Sequence, residues 1–228
     1  MMLKWIVPVT KKEGVDRDTF YEFWQCIHAP HVANLAKPVR YCVTFFDGPG
    51  SLGGPPATEE MPYDGVAELW FRDFEHFNQA FGEQRGALRG VDGFGDLIAP
   101  TTDGLFTTEN IIVDSDPPDD ACKWVAFVKM GEGVTREELF AAWSDGHSPR
   151  VANSIARADG RCLRYTTSHA NHGVEGGPWD GVAELWYTDA ESALKGIPPS
   201  DEPGDPFPPL IDPEATVILQ GREIVVVS

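Results

Sequence analysis

The sequence predicts an α+β protein made of two tandem copies of a β-α-β-β-α-β unit. Three observations carry this reading. The stretch Pro62-Tyr63-Asp64-Gly65-Val66-Ala67-Glu68-Leu69-Trp70-Phe71 returns as Pro178-Trp179-Asp180-Gly181-Val182-Ala183-Glu184-Leu185-Trp186-Tyr187, identical at eight of ten positions. Upstream of it, Lys4-Trp5 returns as Lys123-Trp124, and His28-Ala29-Pro30 as His147-Ser148-Pro149. Between these markers, apolar residues alternate in some stretches and follow helical spacing in others.

In chain order, Leu3 to Val9 reads as a buried strand, and Pro8, which lacks a ladder donor, places part of it near an edge or bulge. Its echo is Cys122 to Val128. Asp16 and Thr135 are helix N-cap candidates, and Thr135 with Glu138 has capping-box spacing. Phe20, Phe23, Trp24 and Ile27 form a helical stripe expected to face a sheet, with Leu139, Phe140 and Trp143 in the second copy. Trp24 and Trp143 read as core anchors. The prolines at 30 and 149 are expected to pull the preceding residue out of helical geometry, so that each histidine sits where one helical segment stops and another starts. Second strands follow from Arg40 to Phe46 and from Leu163 to Thr167, then Gly- and Pro-rich loops, then the repeated strand. In that strand Val66, Glu68 and Trp70 share one face, and Ala67, Leu69 and Phe71 the other. Second helices are expected from Asp73 to about Gln84 and from Asp189 to about Lys195, after which the copies read as divergent. Closing strands run from Thr107 to Val113 and from Thr216 to Val227, with a kink near Gly221.

The resulting order is ferredoxin-like: a four-stranded antiparallel sheet with both helices on one face. The domain reading is repeat 1 over 1–113, an acidic Pro-rich linker over 114–121 and repeat 2 over 122–228. Each sheet has a second face to cover, and two copies can cover each other. The simplest architecture is a single chain mimicking a dimer, an intramolecular α+β barrel.

At 228 residues the chain buries roughly 70% of its unfolded surface, so no disulfide or metal is needed to hold a core. A formal charge of −18 argues against nucleic acid and against an anionic membrane surface. Cys26, Cys42, Cys122 and Cys162 lie far apart with no CxxC spacing, which suits reduced thiols in the cytoplasm. No apolar run has the length of a signal peptide or a membrane helix.

The Lys-Trp strand, the helix ending in Trp24 or Trp143, His28-Ala29-Pro30 and His147-Ser148-Pro149, the Arg-Tyr strand and Asp-Gly-Val-Ala-Glu-Leu-Trp occur twice in the same order. In these features the chain resembles the EthD family of the dimeric α+β barrel superfamily. The resemblance implies a cleft between sheet and helices as the working site. Superfamily relatives include cyclases, anthrone oxygenases, decarboxylases, isomerases, monooxygenases and haem-binding enzymes, and fold alone does not choose among them.

His28 and His147 are the first candidates for chemistry, because imidazole both takes and gives a proton near neutrality. The bland alternative is a structural tie at the helix break. Glu68 and Glu184 stand mid-strand among apolar residues, where a carboxylate is paired, protonated or solvent-facing. Arg40, Arg164, Tyr41 and Tyr165 are the expected partners, and a Glu–Arg pair would be structural. Trp24, Trp70, Trp143 and Trp186 supply aromatic walls. Asp64 and Asp180 are expected to serve the turn beside their glycines. His28 with His31, and His169 with His172, are pairs at metal-ligand spacing, but the first is not repeated, since Arg150 replaces His31, and neither alone makes a site. Gly173 to Gly177 is glycine-rich without opening a helix, and no GxSxG, GxGxxG fingerprint, Walker loop or HExxH is present.

The leading expectation is a lyase or isomerase that needs no cofactor and cyclises, dehydrates, decarboxylates or isomerises a small hydrophobic aromatic or polyketide-like molecule. The first cleft, with His28, His31, Tyr41 and Glu68, is the expected active one. The alternatives are a cofactor-free or haem-dependent monooxygenase and a non-catalytic binder or accessory protein. Partners are expected to be the substrate and a second copy of the chain.

Overall fold

Strand β1 (Leu3–Val9) alternates so that Leu3, Trp5 and Val7 face the helices while Lys4 and Ile6 face the opposite way. In the computed structural model, which describes residues 2–50, 61–81, 92–100, 104–171, 178–198 and 203–228, the chain divides into two units. The first contains Met1–Phe46, Pro62–Thr108 and Glu223–Ser228, the second Asp47–Met61 and Glu109–Arg222. The unit boundaries fall between Phe46 and Asp47, between Met61 and Pro62, and inside the two closing strands.

In the first unit β1 pairs antiparallel with both β3 (Gly65–Phe71) and β4 (Leu105–Val113), and β3 pairs with β2 (Arg40–Pro49). The order is β4-β1-β3-β2. Pairing of β1 with β4 covers Lys4 to Ile6, so the missing N–H of Pro8 falls where that ladder has ended. Helices α1 (Arg17–Phe23), α2 (Ala29–Ala36) and α3 (Phe74–Phe81) pack on one face. In the second unit β5 (Cys122–Val128) lies between β8 (Val217–Val227) and β7 (Gly181–Tyr187), and β7 pairs with β6 (Cys162–Ala170), again all antiparallel. The order β8-β5-β7-β6 matches that of the first unit. Helices α4 (Arg136–Ala141), α5 (Ser148–Ala156) and α6 (Ala190–Lys195) accompany it.

Asp16 caps α1 through the Thr19 N–H, and Thr135 with Glu138 forms the full capping box on α4. Between α1 and α2 the chain does not leave helical geometry. His28 and Ala29 both keep right-handed helical angles, and Trp24–His28 is a single π-helical turn, with the Ala29 N–H reaching back to the Trp24 carbonyl. Ala142–His147 is its counterpart between α4 and α5. The wider turn accommodates a proline that would otherwise clash with the carbonyl four residues back. It also adds a residue to the stripe. Phe20 and Trp24 are buried, but Ile27 turns out to solvent and His28 takes the inward place.

Gly65 and Gly181 of the repeated strand are fixed by close approach. A Cβ there would meet the Trp24 ring and the Thr44 carbonyl, or the Trp143 ring and the Ser168 carbonyl, at 2.7 to 2.9 Å. Asp64 and Asp180 brace a neighbouring loop rather than their own turn. Asp64 accepts from the Lys11 N–H, and Asp180 accepts from the Met130 N–H with Lys129 and Arg136 nearby. All six positions of β3 after Gly65 are buried, so both faces of that strand are covered.

Candidate functional site

The two faces of the sheets separate the candidate residues into two groups. On the face away from the helices Glu68 pairs with Lys4 at 2.7 Å, and Glu184 with Lys123 at 2.7 Å, all four side chains at most 1% exposed. Each carboxylate thus pairs with a lysine on the first strand of its unit, and the Glu68 charge also acts on Arg40. Each ammonium also stands 4.6 Å from an indole, Lys4 over Trp70 and Lys123 over Trp186. Arg40 and Arg164 stack over the same indoles at 4.8 and 5.3 Å. Thr166 adds a hydroxyl to Glu184 at 3.1 Å, at the register position that Cys42 holds opposite Glu68. Glu68, Glu184, Trp70, Trp186, Arg40 and Arg164 are thus not brought together with the histidines.

On the helix face each histidine has a carboxylate partner that the sequence reading missed. His28 Nδ1 lies 2.8 Å from Asp92, and His147 Nδ1 lies 2.6 Å from Asp205. In both units the other oxygen of the aspartate accepts the N–H of a phenylalanine two residues on, Phe94 or Phe207, at 3.0 Å. That phenylalanine stacks on the imidazole, at 3.8 Å between centroids for His28 and 4.7 Å for His147. Short 3-10 turns, Phe94–Asp96 and Pro208–Leu210, then pin the loop beside the end of the first strand, through Lys12 N–H to Leu97 and Ala99 N–H to Thr10, and through Gly131 N–H to Leu210 and Asp212 N–H to Lys129. The repeat does not stop after the second helix. Asp92-Gly-Phe94-Gly-Asp-Leu97-Ile98-Ala-Pro100 and Asp205-Pro-Phe207-Pro-Pro-Leu210-Ile211-Asp-Pro213 share five of nine residues.

The geometry fixes a tautomer. A carboxylate only accepts, so Nδ1 carries the proton and Nε2 is left as the basic atom. Burial holds His28 below the ordinary imidazole value, with Asp92 pulling the other way. Burial also acts to raise the Asp92 carboxyl, but the Phe94 N–H and His28 outweigh it and hold it low.

The units differ in the space beside this pair. In the second, a cavity of about 710 Å³ opens between sheet and helices, walled by Trp124, Trp143, Tyr165, Leu185 and Tyr187, with His147, Arg150 and Asp205 in its lining. Tyr165 accepts the Trp143 indole N–H at 3.3 Å, and burial raises its phenol, so it stays protonated. In the first unit the corresponding space is packed with rings. Trp5, the counterpart of Trp124, contacts Phe77 at 5.2 Å and Phe81 at 5.1 Å, and both also contact Phe71. Counting from the shared Asp73 and Asp189, the second copy has Ala193 in place of Phe77 and Ile197 in place of Phe81. In the second unit Ile197 stands in the cavity wall at the position of Phe81, while Ala193, at the position of Phe77, packs in the core with Trp124, Leu185 and Tyr187. His147, Trp143 and Tyr165 line that cavity, whereas His28, His31, Trp24 and Tyr41 lie on the helix side of the first unit, with His31 close enough to act electrostatically on His28 and Asp92. Among the described residues no cluster of three or more metal-ligating side chains occurs. His172 and Gly173 to Gly177 lie outside the described residues. No helix among the described residues is long and apolar enough to cross a membrane.

Residues 12–97 match the family model described as EthD domain. The chain is similar over its full length to an anthrone oxidase-like protein (TM-score 0.60, 9% identity, 94% of that chain covered). It is also similar to a protein of Fusobacterium nucleatum subsp. nucleatum provisionally named a monooxygenase (TM-score 0.56, 9% identity, 98% and 93% covered). A chlorite dismutase variant of Candidatus Nitrospira defluvii aligns at TM-score 0.51 and 10% identity, with 96% and 90% covered. At such identities the likeness carries the fold alone, that of the dimeric α+β barrel proteins. A 185-residue stretch is 27% identical to part of RNA exonuclease 4 of Xenopus laevis, taking in 76% of this chain. The chain spans 36% of that protein's length, and its charge of −18 opposes a polyanionic ligand.

Proposed function

We propose that this chain, which carries an EthD domain in the dimeric α+β barrel fold, moves a proton on a small hydrophobic aromatic or polyketide-like molecule held in the second-unit cleft. The observation that carries the reading is the His147–Asp205 pair in the wall of a mainly apolar, aromatic-lined cavity. In the step, a C–H bond of the substrate breaks, its electron pair stays on the substrate as an enolate, and the proton forms an N–H bond at His147 Nε2. Asp205 holds the ring and offsets the imidazolium charge. Return of the same proton to another carbon completes an isomerisation, and its delivery to a hydroxyl that leaves from the neighbouring carbon as water gives a dehydration; in the decarboxylation variant a C–C bond to a carboxylate breaks in place of the C–H bond, carbon dioxide leaves, and a proton held at His147 Nε2 goes to the carbon that keeps the electron pair. Trp143, Tyr165 and Trp124 orient the ring system and keep water away. Supporting features for the wider reading are the repeated motifs and equal strand orders, which fit two tandem ferredoxin-like repeats forming an intramolecular barrel. Four free cysteines fit a reducing cytoplasm.

A second reading, an oxygenase, is favoured by the names of the structural relatives. The first step is the same, and molecular oxygen then takes electrons from the enolate. Both are tested with anthrone, an aromatic C–H acid. Anaerobic deuterium wash-in should be accelerated by the wild-type protein and slowed ~100- to 10,000-fold in His147→Gln, while His28→Gln keeps the rate. Unchanged wash-in in His147→Gln refutes the proposal, and oxygen uptake coupled to wash-in selects the oxygenase.

A further inference from the structure

The floor of the second-unit cleft is a row of side chains that crosses all four strands of its sheet. Register sets Gln220 on β8 opposite Trp124 on β5, Trp124 opposite Leu185 on β7, and Leu185 opposite Tyr165 on β6, and all four line the cavity. The first unit has the same row, with Phe106 on β4, Trp5 on β1, Leu69 on β3 and Tyr41 on β2. The tryptophan, leucine and tyrosine are kept, and the remaining position changes in kind, from phenylalanine to glutamine. Phe106 stacks on Trp5 at 6.0 Å and meets Phe77 edge-on at 4.8 Å, which closes that end of the row with rings. Gln220 instead accepts the Trp124 indole N–H at 3.3 Å. An indole only donates, so the carboxamide oxygen faces it and the NH2 end is turned away. That nitrogen lies beside Gly48, where a Cβ would stand 3.3 Å from it, next to Pro49 in the cavity wall. Among the described residues its two hydrogens have no acceptor.

We propose that Gln220 sets the specificity of the second-unit cleft by donating its amide N–H to an oxygen of the ligand, so that the cleft takes a fused-ring aromatic molecule with an oxygen at each end of its long axis, one at Gln220 and one at Tyr165. The inference rests on the proton-transfer reading for the aromatic class of the occupant but not for its chemistry. A polar side chain in an apolar wall is costly unless its groups are paired, and the indole pairs only the oxygen of Gln220. A ligand oxygen at that edge completes the set, whereas a wholly apolar ligand displaces water and strands the N–H groups. The hydroxyl of Tyr165, which both gives and accepts hydrogen bonds, is the polar group at the other edge of the row. Three strand spacings separate the two edges, roughly 14 Å between backbones, and Trp124 and Leu185 supply the apolar floor between them. A planar ring system carrying a substituent at each end fits that arrangement. The first unit, with Phe106 in the row, presents no amide donor at this place.

The test compares 2,6-diacetylnaphthalene with 2-acetyl-6-isopropylnaphthalene, in which a methyl group replaces one carbonyl oxygen, read by quenching of tryptophan fluorescence at a pH of about 8, where carboxylates are ionised. The wild-type protein should favour the diketone by ~5- to 50-fold, because the monoketone leaves the amide N–H groups unpaired. Gln220→Glu keeps an acceptor for the Trp124 indole and removes the donor, so the preference should vanish. It should vanish also in Gln220→Met, which keeps the length of the side chain, while the monoketone binds at least as tightly as in wild type, evidence that the cleft is intact. Equal affinities in the wild-type protein, no binding of either ketone, or a preference that survives Gln220→Glu would each overturn the inference. So would a Gln220→Met variant that weakens both ketones alike, the behaviour of a residue that only props Trp124. A preference abolished by Gln220→Glu without any anthrone wash-in by wild type upholds the inference and refutes the proton-transfer reading; wash-in with equal affinities does the reverse.

Discussion

Replacing Glu184 by Gln removes one charge from a pair whose members are both 0% exposed and 2.7 Å apart. The change keeps the size of the side chain and the Thr166 contact at 3.1 Å, so its effect isolates the charge. Lys123 is then left as a buried cation that has lost its carboxylate, with the Trp186 ring beside it at 4.6 Å. Breaking a buried pair costs ~3–5 kcal/mol, because the stranded charge keeps its desolvation penalty and loses its compensation. For a chain of this size each kcal/mol moves the melting temperature by ~2–4 °C, so a fall of roughly 6–20 °C is expected. Urea and thermal unfolding followed by circular dichroism measure it. The double substitution Lys123→Met/Glu184→Leu should recover most of the loss, since two apolar residues of similar volume leave no charge to solvate. A single-variant cost below ~1 kcal/mol, or a double variant as unstable as the sum of its singles, would refute the reasoning.

Two further outcomes follow from the asymmetry of the units. His169 occupies the position held by Phe45 in the first unit, stacks on Phe140 at 4.4 Å, and burial pushes its imidazole down to about 4. Between pH 6.5 and 4 the unfolded chain binds a proton there that the folded chain refuses, so stability falls as pH drops through that window, by about 3 kcal/mol at its lower end. His169→Phe should remove this part of the acid sensitivity in unfolding curves taken at pH 4.5 and 7, and an unchanged pH slope would contradict the assignment. Ile197→Phe puts the first unit's ring into the wall of the second cleft. It should abolish binding of 2-acetylnaphthalene, measured by fluorescence, at a stability cost of no more than ~1–3 kcal/mol, and retained binding would place the ligand elsewhere.

Much of the architecture was legible because it follows from local rules written twice. Alternation set the strand faces, Asp16 and the Thr135–Glu138 box set helix starts, and Trp24 and Trp143 are the anchors their spacing predicts. The inward turn of His28 in place of Ile27 was not legible, because the phase depends on a π turn that only the completed helix pair reveals. Lys4 and Lys123 read as ordinary strand residues. Their pairing with Glu68 and Glu184 depends on the β1–β3 and β5–β7 registers, although a lysine kept at the same place in both copies was a usable signal. Asp92 and Asp205 were hidden by connections of different composition, and the shared Asp-x-Phe-x-x-Leu-Ile-x-Pro pattern could have exposed them. The location of the open cleft rests on Ile197 against Phe81, a difference of volume that acquires meaning only in packing.

The central claim is that the second unit, through His147, is where a small aromatic ligand meets a base. Nitrogen-15 spectra of the imidazoles, assigned by single His→Gln variants and recorded while 2-acetylnaphthalene is titrated in, test it most directly. The account predicts a displacement of the His147 ring signals with those of His28 unmoved; movement of His28 with His147 silent would contradict it.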